Sequence, residues 1–220
     1  MIPGFRFEEN EHRFYCGQQE WPSVTQLIRE AGYSERGAEY YTAASRQRGS
    51  AAHKTVALID QYAPTATTIE EVLEVVEIDD RLVGYGAGYL LFKKEMRFTP
   101  CRNELAVGSR IWRVGGITDL YGRWSDGSSA LGDVKTRQNP GTKPKRSEEL
   151  QTGGYEILLE ESEGLKSDSR FILVLPGDGR YRCLMCTNPT DKNIFQQIST
   201  IFWDRYCHGL VKIRGEEGEE

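Results

Sequence analysis

Apolar and polar residues alternate from residue 5 to residue 22 around Glu9-Asn10-Glu11 and Gly17-Gln18-Gln19, which predicts a short hairpin or pair of strands. Ser23 can then cap a short helix beginning at Val24 and closed by Gly32. After a loop at Ser34–Gly37 the pattern turns helical over residues 38–62, with Ala44, Ala52, Val56 and Ile59 facing inward. Pro64 to Thr68 interrupts it, and Thr67 or Thr68 can cap a short acidic helix. Leu82, Tyr85, Tyr89, Phe92 and Met96 recur at helical spacing, so a longer helix is expected from about Asp80 to Phe98, ended by Pro100. A strand follows over Arg102–Val107, then a Gly108-Ser109 turn and a strand that opens with Ile111 and Trp112.

Two apolar runs between Trp112 and Thr136 flank Ser125-Asp126-Gly127-Ser128, and Asp-Gly between strand-like runs is a strong hairpin signal. Folding the segment there brings Asp119 opposite Asp133 or Val134. Asp133 and Lys135 share a face of the second strand, while Val134 points the other way, into a core. Two carboxylates this close repel unless a positive group sits between them, and a hard divalent cation such as Mg²⁺ takes such oxygen ligands. A solvated surface hairpin is the plainer alternative, although buried strands seldom carry charges without a reason.

Beyond Thr136 a loop rich in turn formers carries Arg137, Lys143, Lys145 and Arg146 ahead of a helix over Glu148–Glu161. These charges are either solvated or placed to meet a phosphate backbone. Phe171–Leu175 reads as a buried strand and Tyr181–Cys186 as another. Asp191 can cap a last helix to Tyr206, with Ile194, Ile198, Ile201 and Phe202 as its apolar face.

The chain of 220 residues, 38% hydrophobic and 28% charged, suits one α/β domain and has no apolar run long enough for a membrane span. The start lacks the basic-then-apolar order of a signal peptide, so a cytoplasmic location is expected. Glu216, Glu217, Glu219 and Glu220 supply most of the net charge of −5. The folded body is therefore nearly neutral, which excludes a broad basic face and leaves a local basic groove as the way to hold nucleic acid. Five cysteines at irregular spacing argue against a disulfide framework. Cys183 and Cys186 lie three apart on a strand and face opposite sides, so no iron–sulfur cluster is expected.

The order of these features resembles the RecB-like branch of the PD-(D/E)xK nuclease superfamily over residues 46–206. It rests on Gly49 to His53, Glu104, Gly116 to Asp119, Asp133 to Thr136 (Asp-x-Lys-Thr) and Gln151 to Tyr155. The segment Pro22-Ser23-Val24-Thr25 looks like that of phage-encoded members, and the phosphate loop of a helicase is missing from the sequence. Taken alone, His53 reads as a packing histidine, and the resemblance makes it a metal ligand.

The resemblance implies a central mixed β-sheet flanked by helices, with residues 1–36 as an N-terminal appendage, 37–210 as the nuclease domain and 211–220 as an acidic disordered tail. It implies Mg²⁺ or Mn²⁺ at His53, Asp119, Asp133 and Val134, with Glu104 as a further ligand or supporting group. Asp119, Asp133, Lys135 and Glu104 become the catalytic set. Gln151, Tyr155, Arg137, Lys143, Lys145, Arg146, Arg48 and Thr136 become DNA-binding positions. The implied activity is DNA hydrolysis, foremost by an exonuclease of phage recombination or DNA processing, with a single-strand annealing or single-strand-binding protein as a candidate partner. A structure-specific or restriction-type endonuclease and an inactive DNA-binding scaffold are the rivals.

Overall fold

The structure, a computed structural model, describes residues 2–33 and 42–213. Three short strands, β1 (Phe5–Glu8), β2 (Arg13–Cys16) and β3 (Gln19–Trp21), form an antiparallel meander. Helix α1 (Val24–Ile28) begins where the Ser23 hydroxyl accepts the Gln26 N–H at 3.0 Å, and a π-turn over Arg29–Tyr33 ends it at Gly32. Helices α2 (Ala43–Tyr62), α3 (Ile69–Leu73) and α4 (Val83–Met96) follow, with Thr42 capping α2 and Thr68 capping α3. The expected Ser34–Gly37 loop and residues 38–41 lie outside the described residues.

A five-stranded sheet forms the centre, in the order β4 (Thr99–Ser109), β5 (Val114–Arg123), β6 (Ser129–Lys135), β7 (Ser169–Val174), β8 (Arg182–Cys186). All neighbours are antiparallel except β6 and β7, which run parallel and are joined by helix α5 (Arg146–Glu163). Helix α6 (Asp191–Cys207) packs beside α5. The fold is thus α/β, a mixed sheet flanked by helices. No helix among the described residues is long and apolar enough to cross a membrane.

Strand alternation gives the sheet two apolar faces. Leu120, Ala130, Val134, Phe171 and Leu173 pack with Val56, Ile59, Tyr89 and Phe92 of α2 and α4. Val107, Val114, Tyr121 and Leu131 pack with Leu150, Leu158, Phe195 and Phe202 of α5 and α6, and also with Val24, Leu27 and Ile28 of α1. The N-terminal segment therefore shares a core with the main sheet, and Ser23 makes a parallel bridge to Gly115. Val211 and Ile213 are buried in the same cluster, while residues 214–220 of the expected tail lie outside the described residues.

Several expectations from the sequence move. Helix α4 ends at Arg97, which takes a left-handed φ of 51°, and Pro100 sits inside β4. This is an edge strand, where a residue without an N–H is tolerated. The turn expected at Gly108-Ser109 lies at residues 110–113, so Ile111 is exposed and β5 opens at Val114. Ala44, Met96 and Ile201 face solvent, and Phe195 fills the core position on α6.

Asp191 is not a cap. Fully buried, it takes an ion pair from Arg170 at 3.0 Å and another from Arg146, tying the start of α5 to β7 and α6. Asp191→Ala would leave the buried Arg170 guanidinium short of a partner, and removing one member of a buried pair costs about 3–5 kcal/mol. Urea denaturation should show a loss of that size, whereas a change under 1 kcal/mol, as for an ordinary surface pair, would contradict this role.

Candidate metal centre

Gly127, with φ 86°, and the Asp126 carboxylate, which accepts the Ser128 N–H at 2.9 Å, form the hairpin turn between β5 and β6. The register Leu120↔Gly132 continues to place Asp119 opposite Asp133. Asp119 Oδ2 accepts the main-chain N–H of Val134 at 2.6 Å, and the Val134 side chain is buried among α2 and α4. Val134, expected among the metal positions, thus supplies a donor that fixes Asp119 and an anchor for β6.

On the other side of β5, Asn103 pairs with Leu120 and Leu105 with Thr118, leaving Glu104 and Asp119 to face one another. Glu104 departs from the extended conformation, with φ 47°. A left-handed non-glycine residue costs roughly 1–2 kcal/mol and persists only where its surroundings hold it. Helix α2 approaches the same point at Gly49, where an added Cβ would sit in ordinary contact with the Thr136 hydroxyl, at 3.4 Å. One turn later on α2, His53 Nδ1 reaches 3.4 Å from Asp119 Oδ1 and 3.8 Å from Glu104 Oε1. His53, Glu104 and Asp119 offer ligand atoms that all lie within 4.8 Å of one another.

Asp133 stands beside this group and is turned to Lys135, whose Nζ lies 2.6 Å from Asp133 Oδ2. Lys135 also donates to Gln151 Oε1 at 3.2 Å, and Gln151 Nε2 donates to the Tyr155 hydroxyl at 2.9 Å. Tyr155 in turn lies against Gly116, where a Cβ would come within 2.6 Å of the ring. The residues of the five sequence motifs thus converge beside the C-terminal end of β6. Glu104, expected as a further ligand or a supporting group, stands within the tight group, while Asp133, expected to share the ion with Asp119, pairs with Lys135 because i and i+2 share a strand face.

The electrostatics follow from burial and crowding. Burial opposes charge on His53, but Asp119 outweighs it and holds the imidazolium to about 9. Partial desolvation, then the charge of Asp119, pushes Glu104 up to about 7, although its side chain stays 38% exposed. Burial likewise raises Asp133 to about 6, against the pull of Lys135. Asp119 is the carboxylate held low: its burial works against ionisation, but His53 and Lys135 prevail. Lys135 remains charged, since Asp133 and Asp119 overcome its desolvation. The repulsion expected between two carboxylates is met inside the protein by His53 and Lys135.

The basic loop is largely committed elsewhere. Arg137 forms an ion pair with buried Glu148 and donates to Pro140 O at 3.3 Å. Arg146 pairs with Glu149 at 2.8 Å and with Asp191. Both, expected at DNA-binding positions, hold the start of α5 through these pairs, where carboxylates find the helix N-terminus favourable. The Lys145 main-chain N–H also donates to Glu148, at 2.9 Å, whereas Lys143 and Arg48 are exposed. A group that the sequence did not single out is Asp60, which joins α2 to α4 and β4. Cys183 and Cys186 pack into different clusters.

No protein-family model matches this sequence, and no curated protein matches it. Among solved structures, one titled "Crystal structure of SSO0001" is similar with a TM-score of 0.40 and 16% identity, over 83% of this chain and 75% of that one.

The charge pattern sets the pH response of the metal-free protein. A His53 held to about 9 stabilises the fold fully below its unfolded value of 6.5 and loses that contribution as pH rises through 9. Glu104 and Asp133, raised to about 7 and about 6, act in the same direction at lower pH, while Asp119, held low, is protonated only in acid. The melting temperature in EDTA should therefore fall between pH 6.5 and 9. A metal-free melting temperature that is level or rises over that interval would contradict the His53–Asp119 coupling.

Proposed function

We propose that this protein is a metal-dependent DNA nuclease that hydrolyses phosphodiester bonds, acting foremost as an exonuclease in phage recombination or DNA processing. The observation that carries the reading is the convergence of His53, Glu104 and Asp119 beside an Asp133–Lys135–Gln151–Tyr155 chain. One imidazole and two carboxylates make a mixed nitrogen and oxygen set that suits Mn²⁺ and Mg²⁺. Their crowding, with Glu104 pushed to about 7, is relieved when a cation replaces the proton. His53, Glu104 and Asp119 would hold the ion, with Asp133 in reach of the same site. When bound, a divalent cation polarises a phosphate oxygen and lowers the pKa of water.

The chain's own groups supply the rest. Lys135 stays protonated and is aimed by two partners, Asp133 and Gln151, so its charge is already in place for a phosphoryl group that gains negative charge during hydrolysis. Gln151 orients Lys135 and is itself oriented by Tyr155. Water adds across the P–O bond, leaving a phosphate monoester on one side and a hydroxyl on the other. Exposed Lys143 and Arg48 remain available to DNA phosphates, and Thr136 lies where α2 meets the end of β6.

Purified protein with Mg²⁺ should degrade linear DNA and leave covalently closed circles intact. Cutting of closed circles would make it an endonuclease, and inertness on both would leave a DNA-binding scaffold. Asp119→Asn should abolish cleavage with an unchanged circular dichroism spectrum, and near-normal turnover by that folded variant would remove the site.

Lys135→Ala separates chemistry from metal binding. Loss of one preorganised electrostatic group costs on the order of 10²–10³ in rate, while Mn²⁺ affinity measured by calorimetry should change little. A collapse of affinity in parallel with rate would assign Lys135 to the ion's surroundings instead.

A further inference from the structure

Asp60 lies seven residues after His53 on α2, so the two share one face of that helix. Its side chain is 9% exposed and takes three donors from two other elements. Lys93 Nζ at 2.8 Å and the Tyr89 hydroxyl come from α4, and Asn103 Nδ2 at 2.7 Å comes from β4. An apolar residue would close α2 on α4 without the cost of burying a carboxylate. The feature that packing does not explain is the third donor. Asn103 immediately precedes Glu104, whose left-handed φ of 47° departs from the strand, and it pairs with Leu120, the residue after Asp119. The Asp60–Asn103 hydrogen bond therefore joins the helix that carries His53 to the point where β4 turns Glu104.

We propose that Asp60 is a positioning residue for the metal centre: through Asn103 it holds the distorted backbone at Glu104 against α2, so that Glu104 and His53 converge on Asp119. This rests on the reading of that trio as a metal site. Asp60 touches neither the ion nor DNA, and it acts only by fixing two ligands borne on different elements. The side chains facing it divide accordingly, because Tyr89 and Lys93 bind α2 to α4, away from the ligands, and Asn103 alone of the three reaches the ligand strand.

The test compares two single deletions of a donor to the same carboxylate. Asn103→Ala, at a half-buried position, and Tyr89→Phe, which keeps the packed ring, should both lower the melting temperature of the metal-free protein. Only Asn103→Ala should weaken Mn²⁺ binding, read from the electron paramagnetic resonance of free Mn²⁺, by about tenfold or more, the lower end of what loss of a ligand's support costs. Asp60→Asn, which keeps an acceptor for Asn103, should retain more affinity than Asp60→Ala. Wild-type affinity in Asn103→Ala, or an equal loss in Tyr89→Phe, would overturn the positioning role and leave the metal site standing. A wild-type protein that binds no Mn²⁺ would instead overturn the metal site, and the positioning role with it.

Discussion

Charge neutralisation beside the C-terminal end of β6 is the constraint on which the rest of the structure depends. Three carboxylates, Glu104, Asp119 and Asp133, come from three adjacent strands, and two of them are buried. Such a group is tolerable only when cations or protons match it. The protein supplies His53 from a helix and Lys135 from the same strand as Asp133. What remains is a carboxyl on Glu104 that holds its proton to about 7. The site is thus balanced with its own groups, His53 and Lys135 supplying positive charge and Glu104 keeping its proton.

The architecture delivers this balance from both sides of the sheet. Helix α2 belongs to the layer that covers Leu120, Val134 and Phe171, while α5, which carries Gln151 and Tyr155, covers Tyr121 and Leu131. Neither layer alone could complete the site. The parallel pair β6–β7 makes the arrangement compulsory, since a parallel neighbour requires a crossover and α5 is that crossover. One small residue sets a distance: Gly116 leaves room for the Tyr155 ring.

Much of this was legible along the chain because it is local. The Asp126-Gly127 turn fixes which residues of β5 and β6 oppose each other, and strand alternation alone puts Asp133 beside Lys135 and sends Val134 into the core. The Ser23 cap and the aromatic spacing of α4 are local in the same sense. Missing from that view were contacts between residues far apart in sequence. The Asp60–Asn103 bond spans 43 residues and the Arg146–Asp191 pair spans 45, so no window along the chain contains both partners. Arg137 and Arg146 look like free basic residues for the same reason, since Glu148 and Asp191 show as buried partners only after α5 and α6 have docked. His53 was undecided because helical periodicity marks a face without saying that the face lies beside the C-terminal end of β6.

The kink at Glu104 has a second effect, on how the molecule treats its neighbours. Strand β4 is the edge of the central sheet and, at eleven residues, its longest strand, the kind of border that another chain can extend by adding a strand of its own. Pro100 lacks an amide hydrogen, the pairing shifts between Pro100 and Arg102, and the left-handed residue at Glu104 rotates the peptide groups that a visiting strand would have to meet in step. A distortion that turns a carboxylate toward His53 and Asp119 thereby spoils the border as a template, so the irregularity that brings the acidic group together also discourages molecules of this protein from assembling edge to edge.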